Sequence, residues 1–137
     1  VSRCGDLALF ALSPRCRVGV DVEAVREVRG ADIIAAHFFS PAERAVYRAL
    51  PPEERSAAFL NCWTRKEAFV KALGAGLSFP SEDFDVSLAP HEPVRLLRVG
   101  KVAGDAGWRI DAFTPHPGYV AALVCERGQS HSTEKTE

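Results

Sequence analysis

The chain has no methionine in its 137 residues, no Cys-x-x-Cys pair, no surplus of either charge and no apolar run as long as a membrane span. Each absence removes a class of function. Four scattered cysteines (Cys4, Cys16, Cys62 and Cys125) lack zinc-site spacing and make a poor disulfide framework for a chain of this size, so free thiols in a reducing compartment are expected. A formal net charge of -1 gives no nucleic-acid signature, and any phosphate must be bound by local clusters of charge. Without about 20 consecutive apolar residues there is no spanning helix. The first residues also lack a signal-peptide pattern, so the expectation is a cytoplasmic protein with no membrane partner. Without a methionine the chain lacks an ordinary start residue and reads as a fragment or an N-terminally truncated product. What is present is ordinary: 47% apolar and 26% charged residues in a length that suits one globular domain.

The pattern runs from strands to helices and back to strands. Leu7 to Leu12 and Val18 to Glu23 are apolar-rich runs joined by Ser13-Pro14-Arg15-Cys16-Arg17, which predicts a hairpin. Asp32 to His37 is a short helical candidate. Ser40-Pro41-Ala42-Glu43 has the form of a capping box with proline at the first helical position, and it predicts a helix to about Leu50, where Pro51-Pro52 stops it. A long helix should follow from about Glu53 or Arg55 to Leu73, ended by Gly74. Phe84 to Leu88, Val94 to Val99, Trp108 to Phe113 and Tyr119 to Cys125 read as short strands of a meander. The expected fold is therefore α+β, an antiparallel sheet packed against a long helix, in one domain over residues 1–126. Residues 127–137 are polar and aperiodic and read as a disordered tail.

Two segments stand out chemically. In the run Val18-Gly19-Val20-Asp21-Val22-Glu23, strand alternation puts the valines on one side, as a core face, and Gly19, Asp21 and Glu23 on the other. Carboxylates two residues apart along a strand lie roughly 7 Å from each other, a spacing that suits two oxygen ligands of one hard cation. The same alternation also fits a half-buried strand whose polar face meets water. In the long helix, Phe59, Cys62, Trp63, Val70 and Leu73 gather into one stripe at about 100° per residue, with Lys66 near its middle. A lysine there must snorkel to the edge or meet an anion, because an unpaired buried ammonium is costly. Glu67 and Lys71, four residues apart, flank the stripe and would also suit a plain surface ion pair. Trp63 reads as a core anchor. Arg26, Arg29 and the four histidines (His37, His91, His116 and His131) read as solvated or structural.

Taken together, Val18 to Glu23 and Trp63-Thr64-Arg65-Lys66-Glu67-Ala68-Phe69-Val70-Lys71-Ala72-Leu73-Gly74 resemble the two signature motifs of the 4'-phosphopantetheinyl transferases, in particular the surfactin-synthetase type. Phe38-Phe39-Ser40-Pro41-Ala42-Glu43 is similar to the family's intervening stretch. Gly74-Ala75-Gly76-Leu77 resembles the loop after the helix, and Gly118 to Leu123 its last strand. The resemblance implies Mg²⁺-dependent transfer of the phosphopantetheine arm of coenzyme A to a serine of an acyl or peptidyl carrier protein. By the same resemblance Asp21, Glu23 and Glu67 would bind the metal. Glu67 would also act as general base, and Lys66 and Lys71 would contact phosphates, with Lys71 at the catalytic centre. A carboxylate beside a cation keeps a low pKa, so such a base works through geometry more than through basicity.

The family's Ser-His pair is Ser2-Arg3 in this chain, which makes both residues candidate coenzyme A contacts, with Arg3 a fixed-charge fork in place of a titrating ring. Surfactin-synthetase-type enzymes are pseudo-dimers of two similar halves, and this chain matches the C-terminal half. Self-association through the surface of the missing half, or a non-catalytic module that docks a carrier protein, is the other reading.

Overall fold

The computed structural model describes residues 1–74, 76, 80–100 and 107–127. A short ribbon of β1 (Ser2–Cys4) and β2 (Leu7–Leu9) leads into β3 (Val18–Ala24). Three helices follow: α1 (Ala31–Phe38), α2 (Pro41–Ala49) and α3 (Pro52–Leu73). The chain then forms β4 (Asp85–Val86), β5 (Leu96–Arg98), β6 (Trp108–Phe113) and β7 (Tyr119–Glu126). The architecture is α+β, with an antiparallel sheet in the order β3-β7-β6 packed against α3. Among the described residues no helix is long and apolar enough to cross a membrane.

Local chemistry sets the helix ends where spacing places them. The Ser40 side chain accepts from Glu43 N, the Glu43 carboxylate accepts from Ser40 N at 2.8 Å, and Pro41 opens α2. Gly74 ends α3 at φ 67°, a left-handed conformation that a Cβ disfavours.

Strand pairing departs from expectation. The segment after Leu7 does not form a hairpin with β3: β2 pairs with β1, and β3 pairs with β7, Val18 opposite Cys125 and Ala24 opposite Tyr119. The four late strands do not form one meander either, since β4 and β5 make a separate ladder. Sequence neighbours compete with distant partners for the same strand edge, and local pattern does not settle that contest. The outward edge of β3 is instead satisfied by β1, whose Ser2 Oγ and Cys4 Sγ accept from Val22 N and Ala24 N.

The face of β3 that meets the helix is also the reverse of the one expected. Helix α3 packs on the Gly19, Asp21 and Glu23 side, and the valines face the β1–β2 arm. Gly19 makes this possible: a Cβ there would lie 2.0 Å from Ala68 O and 2.4 Å from Ala72 N. Ala68 and Ala72 are the small residues on the helix side of the contact. Helix α3 is consequently buried around most of its circumference rather than along one stripe. Phe59, Leu60, Cys62, Phe69 and Val70 join Phe39, Phe84, Val86, Ala122 and Val124 in the core, each large apolar side chain contributing about 1.5–3 kcal/mol. Trp63 is half-buried and stacks on Phe59 and Phe38, the core role expected of it. The four cysteines are free, Cys62 fully buried and the others half-buried. Of the expected tail and of the loop after Gly74, residues 75, 77 and 128–137 lie outside the described residues.

Candidate functional site

The close approach of α3 to β3 at Gly19 sets the helix flank that carries Glu67 and Lys71 beside the strand that carries Asp21 and Glu23. Asp21 is nearly buried, at 5% exposure. Its Oδ1 accepts from Lys71 Nζ at 2.7 Å and from Ser2 Oγ at 2.8 Å. Its Oδ2 is buried with no partner among the described residues. Lys71 Nζ also donates to Val20 O at 3.3 Å. Burial pushes the Asp21 carboxyl above its ordinary range, against the pull of Lys71 and Ser2. Burial likewise raises Glu67, and the Asp21 and Glu23 charges add to the rise while Lys71 opposes it. Asp21 and Glu67 therefore both feel the Lys71 ammonium, and the Asp21 and Glu23 charges add to the resistance of Glu67 to ionisation.

Glu23 is held from the other side. Its Oε2 accepts from Arg26 Nη1 at 3.0 Å and lies 3.7 Å from Cys4 Sγ. Local pattern treated Arg26 as solvated and Cys4 as a plain thiol. The three-residue spacing of Glu23 and Arg26 was the available signal for the first, and nothing local signals the second.

Two expected contacts stand elsewhere. The ammonium of Lys66 is not at the carboxylate cluster: it lies in the core, fully buried, donating to Glu43 Oε1 at 2.9 Å and to Phe84 O at 2.8 Å. It also sits 4.1 Å from the centroid of the Phe84 ring. The anion that a lysine in an apolar stripe demands is thus Glu43 of α2. Glu43 closes the network by accepting from Val86 N and Ser40 N, both at 2.8 Å. Arg3 is exposed and, by strand alternation, points away from the face on which Ser2 and Cys4 reach β3. Ser2 does reach the cluster, but as the partner of Asp21 and Val22 N. Its hydroxyl is already engaged on both counts.

The donor set suits a hard cation. An orphaned buried carboxylate oxygen beside two more carboxylates is an arrangement that a positive charge would relieve. Among the described residues no three acidic, thiol or imidazole groups converge closely enough to hold a metal ion on their own. Such a cation would therefore draw on oxygens from outside the chain. The remaining capability is that of a partly desolvated carboxylate, Glu67, one helical turn from an ammonium, Lys71.

Comparison with known proteins adds to this geometry. The chain matches the model of the 4'-phosphopantetheinyl transferase superfamily over residues 17–124. The 4'-phosphopantetheinyl transferase HetI of Nostoc sp. (strain PCC 7120) is 32% identical over 124 residues, covering 90% of this chain and 49% of that protein. The 4'-phosphopantetheinyl transferase Sfp of Bacillus subtilis (strain 168) is 35% identical over 110 residues, 74% of this chain and 48% of that protein. The chain thus spans about half the length of these relatives. Among solved structures, the Chronobacterium ammoniagenes ACPS–CoA complex aligns at a TM-score of 0.60 and 23% identity, covering 83% of this chain and 98% of that one. A holo-(acyl-carrier-protein) synthase from Bacillus anthracis in complex with CoA aligns at a TM-score of 0.65 and 16% identity, over 81% and 96%. At these identities the likeness speaks for the fold.

Proposed function

The chain belongs to the 4'-phosphopantetheinyl transferase superfamily, and from that premise we propose that it is the catalytic, C-terminal half of a surfactin-synthetase-type enzyme. The reaction is transfer of the phosphopantetheine arm of coenzyme A to a serine of an acyl or peptidyl carrier protein. The observation that carries this reading is the meeting of Asp21, Glu67 and Lys71 around a buried, unpartnered oxygen.

Asp21, Glu23 and Glu67 are the groups that would hold Mg²⁺, which typically takes one or two carboxylates and fills its shell with water and phosphate oxygens. When bound, the ion supplies neutralisation of charge on the pyrophosphate of coenzyme A. Lys71 offers an ammonium to the same phosphates and meanwhile holds Asp21 in place. Glu67 takes the proton of the serine hydroxyl, directly or through a water, as the serine oxygen bonds to phosphorus and the adenosine nucleotide leaves with the electrons of the broken P–O bond. With a cation bound beside it Glu67 would keep a low pKa, so it acts as base through its position next to the serine hydroxyl more than through basicity. Ser2 orients Asp21 through its hydroxyl.

A second reading is favoured by a specific surface. The valine side of the sheet carries a shallow apolar depression lined by Leu9, Phe10, Leu12, Val18, Phe113 and Leu123, with Leu12 93% and Phe10 67% exposed. That face suits a second copy of the chain or the other half of a longer protein, and a module could use it for docking without turnover. Incubation with coenzyme A, Mg²⁺ and an apo carrier protein separates the two. The enzymatic reading expects the carrier to gain the mass of the phosphopantetheine arm. A parent protein containing both halves that leaves the carrier unmodified refutes it.

A further inference from the structure

The opposite end of α3 carries a cluster that the carboxylate site does not use. Helices α1 and α2 and the first turn of α3 enclose a cleft of about 270 Å³ lined by Arg44, Arg48, Arg55, Tyr47 and Asp32, with small alanines between them. Two of the arginines are pinned by neutral groups. Arg44 Nη1 donates to Ala36 O at 2.9 Å and to Phe39 O at 3.2 Å, at the end of α1. Arg55 Nε and Nη2 donate to Leu50 O and Arg48 O, both at 3.1 Å, at the end of α2. The Arg48 guanidinium is exposed and has no partner among the described residues. The one carboxylate of the lining, Asp32, accepts from Tyr47 OH at 3.1 Å, and none of the three arginines forms an ion pair among the described residues.

Capping of helix ends accounts for the carbonyl bonds of Arg44 and Arg55. It leaves them without a direct ion pair among the described residues, three guanidinium groups against the single carboxylate of Asp32, and gives Arg48 no role. Carbonyl bonds also fix two guanidinium planes in advance, which lowers the entropic cost of the bidentate contacts that arginine makes to oxyanions. We propose that this cleft binds a phosphate-class oxyanion, either inorganic phosphate or the phosphoryl group of a small metabolite. Arg48 closes over the anion, and Arg44 and Arg55 form its floor. The site is separate from the carboxylate cluster, since Arg55 and Lys71 lie on one helix about 24 Å apart at 1.5 Å per residue. An occupied cleft ties α1 and α2 to α3 and stabilises the helical layer by mass action.

The test uses the intact chain in phosphate-free buffer without divalent metal, where three carboxylates around Lys71 repel anions. Inorganic phosphate and glycerol 3-phosphate are each titrated calorimetrically, with parallel melting curves. Saturable binding is expected, weakened about tenfold or more by Arg48→Glu and unchanged by Lys71→Ala. The exposed Arg48 side chain makes no contact that folding needs, and circular dichroism of the variant checks this. Tighter binding of the ester assigns a metabolite, and equal binding assigns free phosphate. The proposal is overturned by an absence of saturable heat up to about 10 mM ligand, by sodium chloride at matched ionic strength giving the same melting shift, or by binding that Lys71→Ala abolishes and Arg48→Glu leaves intact. None of these outcomes depends on carrier-protein modification.

Discussion

Replacing Lys66 by methionine distinguishes a core lysine from a phosphate ligand. Methionine fills much the same volume and keeps contact with the Phe84 ring, so packing changes little. What is lost is the ammonium. Glu43 is left as a buried carboxylate, and Phe84 O loses its 2.8 Å donor. Removing one member of a buried pair typically costs about 3–5 kcal/mol because the other charge stays uncompensated. Glu43 keeps two backbone donors, Ser40 N and Val86 N, so the lower end of that range applies. For a domain of this size, about 3 kcal/mol corresponds to a fall in Tm of roughly 10 °C. Thermal melting followed by circular dichroism reads the loss, and titration of coenzyme A into the folded variant reads the site. The double variant Lys66→Met with Glu43→Gln should regain part of the stability, since it removes the stranded charge and keeps an acceptor for one of the two donors, Ser40 N or Val86 N. A Lys66→Met protein that melts within about 2 °C of the parent but binds coenzyme A much more weakly would refute the core assignment.

Glu67→Gln should abolish phosphopantetheine transfer and yet stabilise the metal-free chain at neutral pH. The folded pKa of Glu67 is raised, so its protonated form is the one folding favours. That favourable contribution is complete below the ordinary glutamate range and is lost as pH rises through the folded value. The gain from the glutamine should therefore appear only above that range and shrink when Mg²⁺ is added to the parent, and melting curves across pH with and without Mg²⁺ measure it. Gly19→Ala drives a Cβ into the backbone of α3 at 2.0 Å, and separation of helix and strand should cost about 1–3 kcal/mol or more in urea unfolding and lower transfer with it. Ser2→Ala removes a donor from Asp21 and an acceptor from Val22 N, and an equilibrium unfolding loss of about 1–3 kcal/mol is expected with the active site otherwise assembled.

The parts of the fold that local chemistry dictates were readable in advance. The Ser40–Glu43 capping box, the stop at Gly74 and the extent of β6 depend on neighbours within a few residues. What was not readable depends on distance. Lys66 could be seen as a lysine out of place, but its partner Glu43 lies a whole helix earlier and had already been accounted for as a cap. The pairing of β3 turns on a strand at the far end of the sequence, and the reversal of its faces turns on a helix that covers the polar side. Gly19 held the missed clue: among alternating valines and acids, the one residue with no side chain marks where another backbone must come close.

That long-range pairing also bears on how the protein is made. Val18 meets Cys125 and Ala24 meets Tyr119, so the sheet closes a loop of roughly a hundred residues, and closure entropy of that kind delays folding. During synthesis the helices can form as they emerge, but β3 waits for β7, which is translated roughly a hundred residues later. Until then Asp21 has no sheet to hold it beside Lys71. The nascent chain is thus a set of helices with an unpaired valine strand, open to aggregation or to capture by a chaperone. The site comes into being only when β7 joins the sheet.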